Sequence, residues 1–153
     1  MSLAIEFLLI SFSLALKNLE KVMKAVSYNI EVRDSVKNPY LTETPKFKRE
    51  FGIKGEYNNY KVWIYLEGPD LPFIKRVTYR LHPTFKHQVR TIESSPSNPK
   101  CALQIWTWGI FTVKAEIEDV GGKTFELEHL LTYGEEISRD KSLTWEASGS
   151  YAS

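Results

Sequence analysis

The chain has 153 residues, of which 42% are hydrophobic and 13% aromatic. This length and composition predict one folded domain with a sizeable core and exclude a disordered chain. The 20 basic and 19 acidic residues leave a net charge of +1, so the chain as a whole lacks the electrostatic footprint of a nucleic-acid-binding protein.

The first 26 residues differ from the rest. A dense apolar run covers residues 3–16, and apolar residues then recur at three- and four-residue intervals up to Val26, as on an amphipathic helix. The run is shorter than the roughly 20 residues that cross a bilayer, and it lacks the features of a secretory signal. We expect a helix over residues 3–26 that packs against a second copy of the chain, a membrane or the outer face of a sheet, in that order.

From residue 27 the pattern is that of short strands. Tyr28, Ile30 and Val32 alternate with polar residues, which is typical of a half-buried strand. Further strands are predicted at residues 47–54, 60–67, 75–82, 101–107, 110–119 and 123–132, with a polar turn at 55–59. The turn Gly121-Gly122 indicates a hairpin. The pattern predicts an all-β fold, an immunoglobulin-like β-sandwich over residues 27–133 with an added N-terminal α-helix.

Several remaining residues are assigned by their surroundings. Cys101, the single cysteine, excludes an internal disulfide, fits a reducing compartment and is expected to be a core thiol. Trp63, in the middle of an apolar strand, is expected in the core. The polar residues 134–153, including Glu135 and Glu136, are expected to form a solvated, frayed C-terminal tail.

Two motifs lie between residues 79 and 111. Leu81-His82-Pro83-Thr84-Phe85 follows a strand and puts a hydroxyl and an aromatic ring into a turn. Trp106-Thr107-Trp108-Gly109-Ile110-Phe111 puts a Trp-Gly corner before the next strand. If both meet at one end of a sandwich, the aromatic rings, the hydroxyl and the backbone amides suit holding a flat, apolar amide group better than breaking a bond.

Together with Gly68-Pro69-Asp70, these motifs resemble the YEATS domain, a family of small immunoglobulin-like sandwiches known for reading acylated lysine. The likeness covers about residues 45–132 and is nearest to prokaryotic members. In the family, the first motif is His, a variable residue, Ser or Thr, then Phe or Tyr. Gln88 stands where many relatives have proline, and residues 94–99 lack the usual Pro-Pro-aromatic block, so the departures concern the loop between the motifs.

The resemblance implies an acyl-lysine site with aromatic walls. Phe85 and Trp108 match the facing walls of the family's channel, and Tyr57 aligns as a third wall. Glu128 aligns with an acid that faces the peptide in some members. As an alternative from the residues alone, Phe85 and Trp108 are core aromatics.

The resemblance also implies polar partners for the acyl amide. The Thr84 hydroxyl would bond the amide, His82 would orient that hydroxyl, and the backbone of Trp108 and Gly109 would meet the acyl carbonyl. A buried amide needs such partners, since an unpaired buried polar group costs about 1–3 kcal/mol. The alternatives are that His82 is structural and that Thr84 bonds only local backbone.

The sequence therefore predicts a non-enzymatic binding module for an acylated lysine, or a similar neutral amide, on a protein partner. We expect no cofactor and no metal, because His82, His87 and His129 lack metal-ligand spacing and no nucleophile motif is present. The expected location is cytoplasmic, with membrane association or self-association through residues 3–26. The alternative is an interaction or scaffold domain of a membrane-linked bacterial signalling protein with a degenerate pocket.

Overall fold

A computed structural model describes residues 11–15 and 28–148. The strands are β1 (Glu31–Ser35), β2 (Lys46–Gly52), β3 (Gly55–Glu67), β4 (Ile74–Arg80), β5 (Val89–Glu93), β6 (Leu103–Thr107), β7 (Thr112–Asp119), β8 (Thr124–Leu130) and β9 (Glu146–Ala147). The helices are α1 (residues 11–15), the 3-10 turn η1 (Leu71–Phe73) and α2 (Tyr133–Arg139).

Two sheets form a sandwich. The first has the order β1-β3-β2-β9, with β6 paired to β3, and the second has the order β5-β4-β7-β8. Neighbouring strands are antiparallel except for β2 and β9, which are parallel. The expected immunoglobulin-like β-sandwich with an added N-terminal helix is confirmed.

The core lies between the two sheets. Alternate residues of β3 supply the fully buried Val62, Ile64 and Leu66, as the two-residue period of a strand requires. The facing strands supply Val77, Tyr79, Val113, Ala115 and Ile117. Trp63 is one residue out of phase with the buried row, so the expectation that it lies in the core is wrong. It is half-buried on the outer face, with the Lys61 ammonium 5.2 Å from its ring centroid.

The turn before the central strand is shorter than expected. Residues 55–59 were predicted as a polar turn, but β3 begins at Gly55 and pairs with β2 from there onward. Gly52 pairs with Gly55, so only two residues connect the strands, and Gly55 has a φ of +110° that favours glycine. The longer strand carries Tyr57 and Asn59 on the same side of the sheet.

Cys101 is buried, as expected, just before β6. Its φ of +48° lies in the left-handed region, which is uncommon for a residue with a side chain. The hydroxyl of the buried Tyr79 donates a hydrogen bond of 2.7 Å to the Cys101 carbonyl oxygen. This bond joins β4 of one sheet to the start of β6 in the other.

The C-terminal segment is not a frayed tail over residues 134–148. Tyr133 is buried at the start of α2, and Ile137, Leu143 and Trp145 pack against the core. Glu136, expected to be solvated, accepts hydrogen bonds from the Ser35 hydroxyl at 2.7 Å and the Val36 N–H at 2.8 Å. Several polar residues separate these apolar ones at irregular intervals, so no regular apolar period indicates their contacts in the sequence.

Only part of the N-terminal prediction falls on described residues. Residues 11–15 are helical, and Phe12 and Leu14 are 65% and 56% exposed. The rest of the predicted helix over residues 3–26 lies outside the described residues. Among the residues that the structure describes, no helix has the length and apolarity needed to cross a membrane.

We expect Ile64→Ala to lower the free energy of unfolding by about 3 kcal/mol, because it leaves a cavity between the sheets. Urea denaturation measures the change. Ile53→Ala, at the exposed tip of the β2–β3 hairpin, is the matched control and should change it by no more than about 0.5 kcal/mol. Equal losses in the two variants would contradict this description of the core.

Candidate functional site

A groove of about 550 Å³ lies where the β4–β5 loop meets the end of β6 and the first half of β3. Its volume is within the range of about 300–1,000 Å³ that is common for small-ligand sites. The structure brings together six of the seven site residues named from the sequence, because the groove is lined by Tyr57, His82, Thr84, Phe85, Trp108 and Gly109. The other lining residues are Asn59, Lys86, Trp106, Thr107, Ile110 and Phe111.

Four of the five Phe, Tyr and Trp rings that line the groove form two contacting pairs. Phe85 packs on Phe111 with ring centroids 5.4 Å apart, and Tyr57 meets Trp108 edge-on at 5.9 Å. Trp108 is 68% exposed, which is unusual for so large an apolar side chain. Phe85 is half-buried against the core, so the core-aromatic alternative applies to it in part and does not apply to Trp108.

The first motif folds into a turn held by its own histidine. His82 Nδ1 accepts a hydrogen bond from the Thr84 N–H at 3.3 Å and lies 2.9 Å from the Thr84 hydroxyl oxygen. Because Nδ1 accepts from the N–H, it has no proton, and the hydroxyl must donate to it. The lone pairs of Thr84 Oγ1 therefore remain open to a donor in the groove. These bonds hold the turn and fix the direction of the Thr84 hydroxyl, while the role of His82 in orienting that hydroxyl for an acyl amide stays a prediction.

Hydrogen bonds from two hydroxyl groups hold the backbone of the Trp-Gly corner. The Gly109 carbonyl oxygen accepts hydrogen bonds from Thr107 Oγ1 at 3.2 Å and from Tyr133 Oη at 2.7 Å. Burial raises the pKa of Tyr133 to about 12, so its hydroxyl keeps its proton and donates. A Cβ at Gly109 would meet no atom within 4 Å, so the space beside this backbone is open.

The position of Tyr133 depends on Asp34, at the end of β1. The buried Asp34 carboxylate accepts hydrogen bonds from His129 Nε2 at 2.6 Å and from the Thr132 hydroxyl at 2.9 Å. It also accepts hydrogen bonds from the backbone N–H groups of Thr132 and Tyr133, each at 2.8 Å. These N–H groups belong to the first turn of α2, where a carboxylate is favourable.

The groove contains no carboxylate. None of its twelve lining residues is Asp or Glu, and one of them, Lys86, is a cation. Glu128, the weaker prediction, does not line the groove: it is exposed on β8, with Oε1 3.9 Å from Lys114 Nζ. In the described part of the chain, no cluster of three or more His, Cys, Asp or Glu residues could hold a metal ion.

Three contributors were missed by the sequence reasoning. Phe111 belongs to the second motif but was not given a role, although it contacts both Phe85 and the His82 ring, the latter at 6.1 Å. Asn59 was placed in a turn rather than a strand. Tyr133 is the last residue of the predicted sandwich and was given no role, and its one sequence signal is an aromatic residue directly after the last apolar strand.

Comparison with known proteins agrees with the resemblance stated above, which is confirmed. Residues 58–132 match the family model of the prokaryotic YEATS domain. One similar solved structure is described as the Yaf9 YEATS domain recognizing an H3K122suc peptide, with 21% identity, 73% of this chain and 80% of that chain covered, and a TM-score of 0.44. Another is the yeast AF-9 homolog Yaf9, with 22% identity, 69% and 64% covered, and a TM-score of 0.41. No curated protein matches the chain in sequence.

We expect Asp34→Asn to lower the free energy of unfolding by about 3 kcal/mol, because the amide removes the buried charge and turns an NH2 group toward donors. Chemical denaturation measures the loss. Amide hydrogen exchange at Tyr133 should accelerate more than exchange in the core strands. Glu31→Gln, on an exposed position of the same strand, is the control and should leave both quantities nearly unchanged.

Proposed function

Because residues 58–132 match the prokaryotic YEATS domain family, we propose that the chain is a non-enzymatic binding module for an acylated lysine, or a similar neutral amide, on a protein partner. One observation carries this proposal. The groove combines exposed aromatic rings and an open hydroxyl acceptor with a lining that contains no carboxylate. That combination suits a ligand that is flat, apolar at its end and uncharged.

The acyl amide has a partner for each of its groups. Its plane lies against aromatic faces of Phe85 and Trp108, each contact adding about 0.5–1.5 kcal/mol beyond area burial. Its N–H donates to Thr84 Oγ1, whose own proton is directed to His82. Its carbonyl oxygen meets the backbone at Trp108 and Gly109, where the Gly109 N–H makes a long bond of 3.3 Å to Thr107 that a better acceptor can replace.

Unmodified lysine is disfavoured by the same groove. An ammonium group loses hydration when it enters, and none of the lining residues is an acid that could pair with it. Lys86 adds repulsion between like charges. Acylation removes the positive charge of lysine and supplies an amide group. The lining should therefore bind acylated lysine more tightly than unmodified lysine.

The pair of His82 and Thr84 has the spacing of a base and a nucleophile, but its surroundings favour binding. In the triad arrangement the second ring nitrogen of the histidine is held by a carboxylate, and no carboxylate lines this groove. The His82 ring instead packs against Phe111, and its Nδ1 holds both the N–H and the hydroxyl of Thr84. These contacts fix the direction of a hydroxyl.

We expect acetyl-, butyryl- or crotonyl-lysine peptides to bind and the unmodified peptide to bind at least tenfold more weakly, roughly 1.4 kcal/mol. Thr84→Val should weaken acyl-peptide binding about tenfold, because it removes the acceptor of the amide N–H while keeping the shape. Trp108→Ala should weaken it at least as much. Tryptophan fluorescence titration measures the wild type and Thr84→Val, and calorimetry measures Trp108→Ala.

The matched control is Thr124→Val, at an exposed threonine of β8 outside the groove, which should bind like the wild type. Each variant is checked by denaturation, so that loss of binding is not confused with loss of fold. Equal binding of acylated and unmodified peptides, or no binding of either at millimolar concentration, would contradict the proposed function.

We also propose that residues 3–26 mediate self-association or membrane association. The alternative function, an interaction or scaffold role in a membrane-linked bacterial signalling protein, depends on this association. It is supported by the exposure of Phe12 and Leu14 in α1. We expect the full chain to self-associate or to bind liposomes, and a chain of residues 28–153 to do neither. Light scattering with and without liposomes measures both. Identical monomeric behaviour of the two chains would argue against this association.

A further inference from the structure

The first half of β3 has one backbone edge without a partner strand. β2 pairs with residues 55–60 of β3 on one side, and β6 pairs with residues 60–64 on the other. β6 ends at Thr107, opposite Tyr60, and within the described part of the chain no further strand continues its line. Residues 55–59 of β3 are therefore paired on the β2 side alone.

The phase of β3 shows which backbone groups point to this free edge. The Leu66 N–H donates a hydrogen bond of 2.8 Å to the Lys100 carbonyl oxygen, in the segment that leads into β6. Since backbone groups of a strand alternate in direction, the even-numbered residues of β3 turn their N–H and C=O groups to the β6 side. Glu56 and Asn58 thus point to the free edge, where no backbone hydrogen bond connects them to another described segment.

The hydrogen bonds of β2 agree with this phase. The Phe47 carbonyl oxygen accepts the Ser148 N–H at 2.8 Å, so Phe47 turns its backbone away from β3. The register then gives the hydrogen-bonded pairs to the even-numbered residues of β2, which lie opposite Tyr57 and Asn59. Those two backbones are paired, whereas the backbones of Glu56 and Asn58 between and before them are not.

The free edge lies beside the groove. Tyr57, which stands between Glu56 and Asn58, lines the groove. A second depression of about 390 Å³ is lined by Glu56 and Asn58 and shares Tyr57 and Trp108 with the groove. Because successive side chains of a strand point to opposite faces, an extended segment at this edge has space for side chains on both of its faces.

We propose that the partner segment binds as an added β-strand along this edge, in line with β6. Its backbone pairs with the N–H and C=O groups of Glu56 and Asn58, and its acyl-lysine stands opposite Tyr57, on the face of the groove. This inference rests on the proposed function. Strand addition supplies affinity through main-chain hydrogen bonds, so the partner is an extended segment without proline at the paired positions.

Residue-resolved amide hydrogen exchange of the full chain, with and without a saturating butyryl-lysine peptide, tests the edge directly. The amides of Glu56 and Asn58 should exchange at least about fivefold more slowly in the complex. The amides of Tyr57 and Asn59, which already pair with β2, are the internal control and should change less. Binding through the acyl-lysine side chain alone would not select alternate amides.

Backbone N-methylation of the peptide tests the partner's side of the pairing. Methyl groups on one alternate set of residues should weaken binding about tenfold, and those on the other set should have little effect. The sensitive set is the two residues that flank the acyl-lysine in an antiparallel pairing, and the acyl-lysine itself in a parallel one.

A variant of the chain removes one edge donor. Asn58→Pro deletes an N–H at an edge position, where a strand tolerates proline, and Asn58→Ala is the matched control that keeps the N–H. The proline variant should bind the acyl peptide about fivefold more weakly than the alanine variant. If denaturation shows that Asn58→Pro does not fold, the exchange and N-methylation measurements decide.

The outcomes separate strand addition from the proposed function. Acyl-dependent binding without slower exchange at Glu56 and Asn58, or with equal effects of every N-methyl group, overturns strand addition alone. Protection of these amides without peptide, rising with the concentration of the chain, overturns it in favour of a second copy at this edge. Failure of every acyl peptide to bind better than unmodified lysine overturns the proposed function, and this inference with it.

Discussion

The described architecture of the groove depends on the hydrogen bonds that the buried Asp34 carboxylate accepts. Four donor groups from β8 and the start of α2 converge on it. Without those bonds the first turn of α2 would leave backbone N–H groups buried and unpaired. The carboxylate thereby fixes where Tyr133 stands, and Tyr133 in turn fixes Gly109. A residue of the first strand thus determines the shape of a loop far along the chain.

In the groove, the hydroxyl donors are paired within the chain while some acceptor sites remain open. The Thr84 hydroxyl donates a hydrogen bond to His82, and the hydroxyls of Thr107 and Tyr133 both donate to the Gly109 carbonyl oxygen. These three donors are therefore paired within the chain. What remains open is mainly the acceptor capacity of Thr84 Oγ1, beside the aromatic rings of the groove. Such a lining discriminates by what the ligand can donate and by its lack of charge, and it needs no large contact area to do so.

The sequence predicts the sandwich, and it predicts which residues lie together in the groove, for identifiable physical reasons. Alternation in the strands reveals which residues face inward, and the two motifs keep His82, Thr84, Phe85 and Trp108 at fixed spacings. It fails where a role depends on neighbours distant in sequence. Trp63 is apolar yet lies on the outer face, because the phase of β3 is set by Val62 and Ile64. The helix α2 looks like a solvated segment because Glu136, whose carboxylate bonds Ser35 of β1, cannot be told from a surface acid by its sequence alone.

The native thiol has a practical consequence for studying this chain. Burial raises the pKa of Cys101 to about 11, so almost none of it is the reactive thiolate near neutral pH. The backbone of Cys101 is in the left-handed conformation, so replacing it by a β-branched residue would strain the chain. A cysteine added on the exposed rim, for instance Ile110→Cys, would therefore react selectively with a maleimide dye while Cys101 stays in place. The native sequence thus already allows single-site labelling beside the groove.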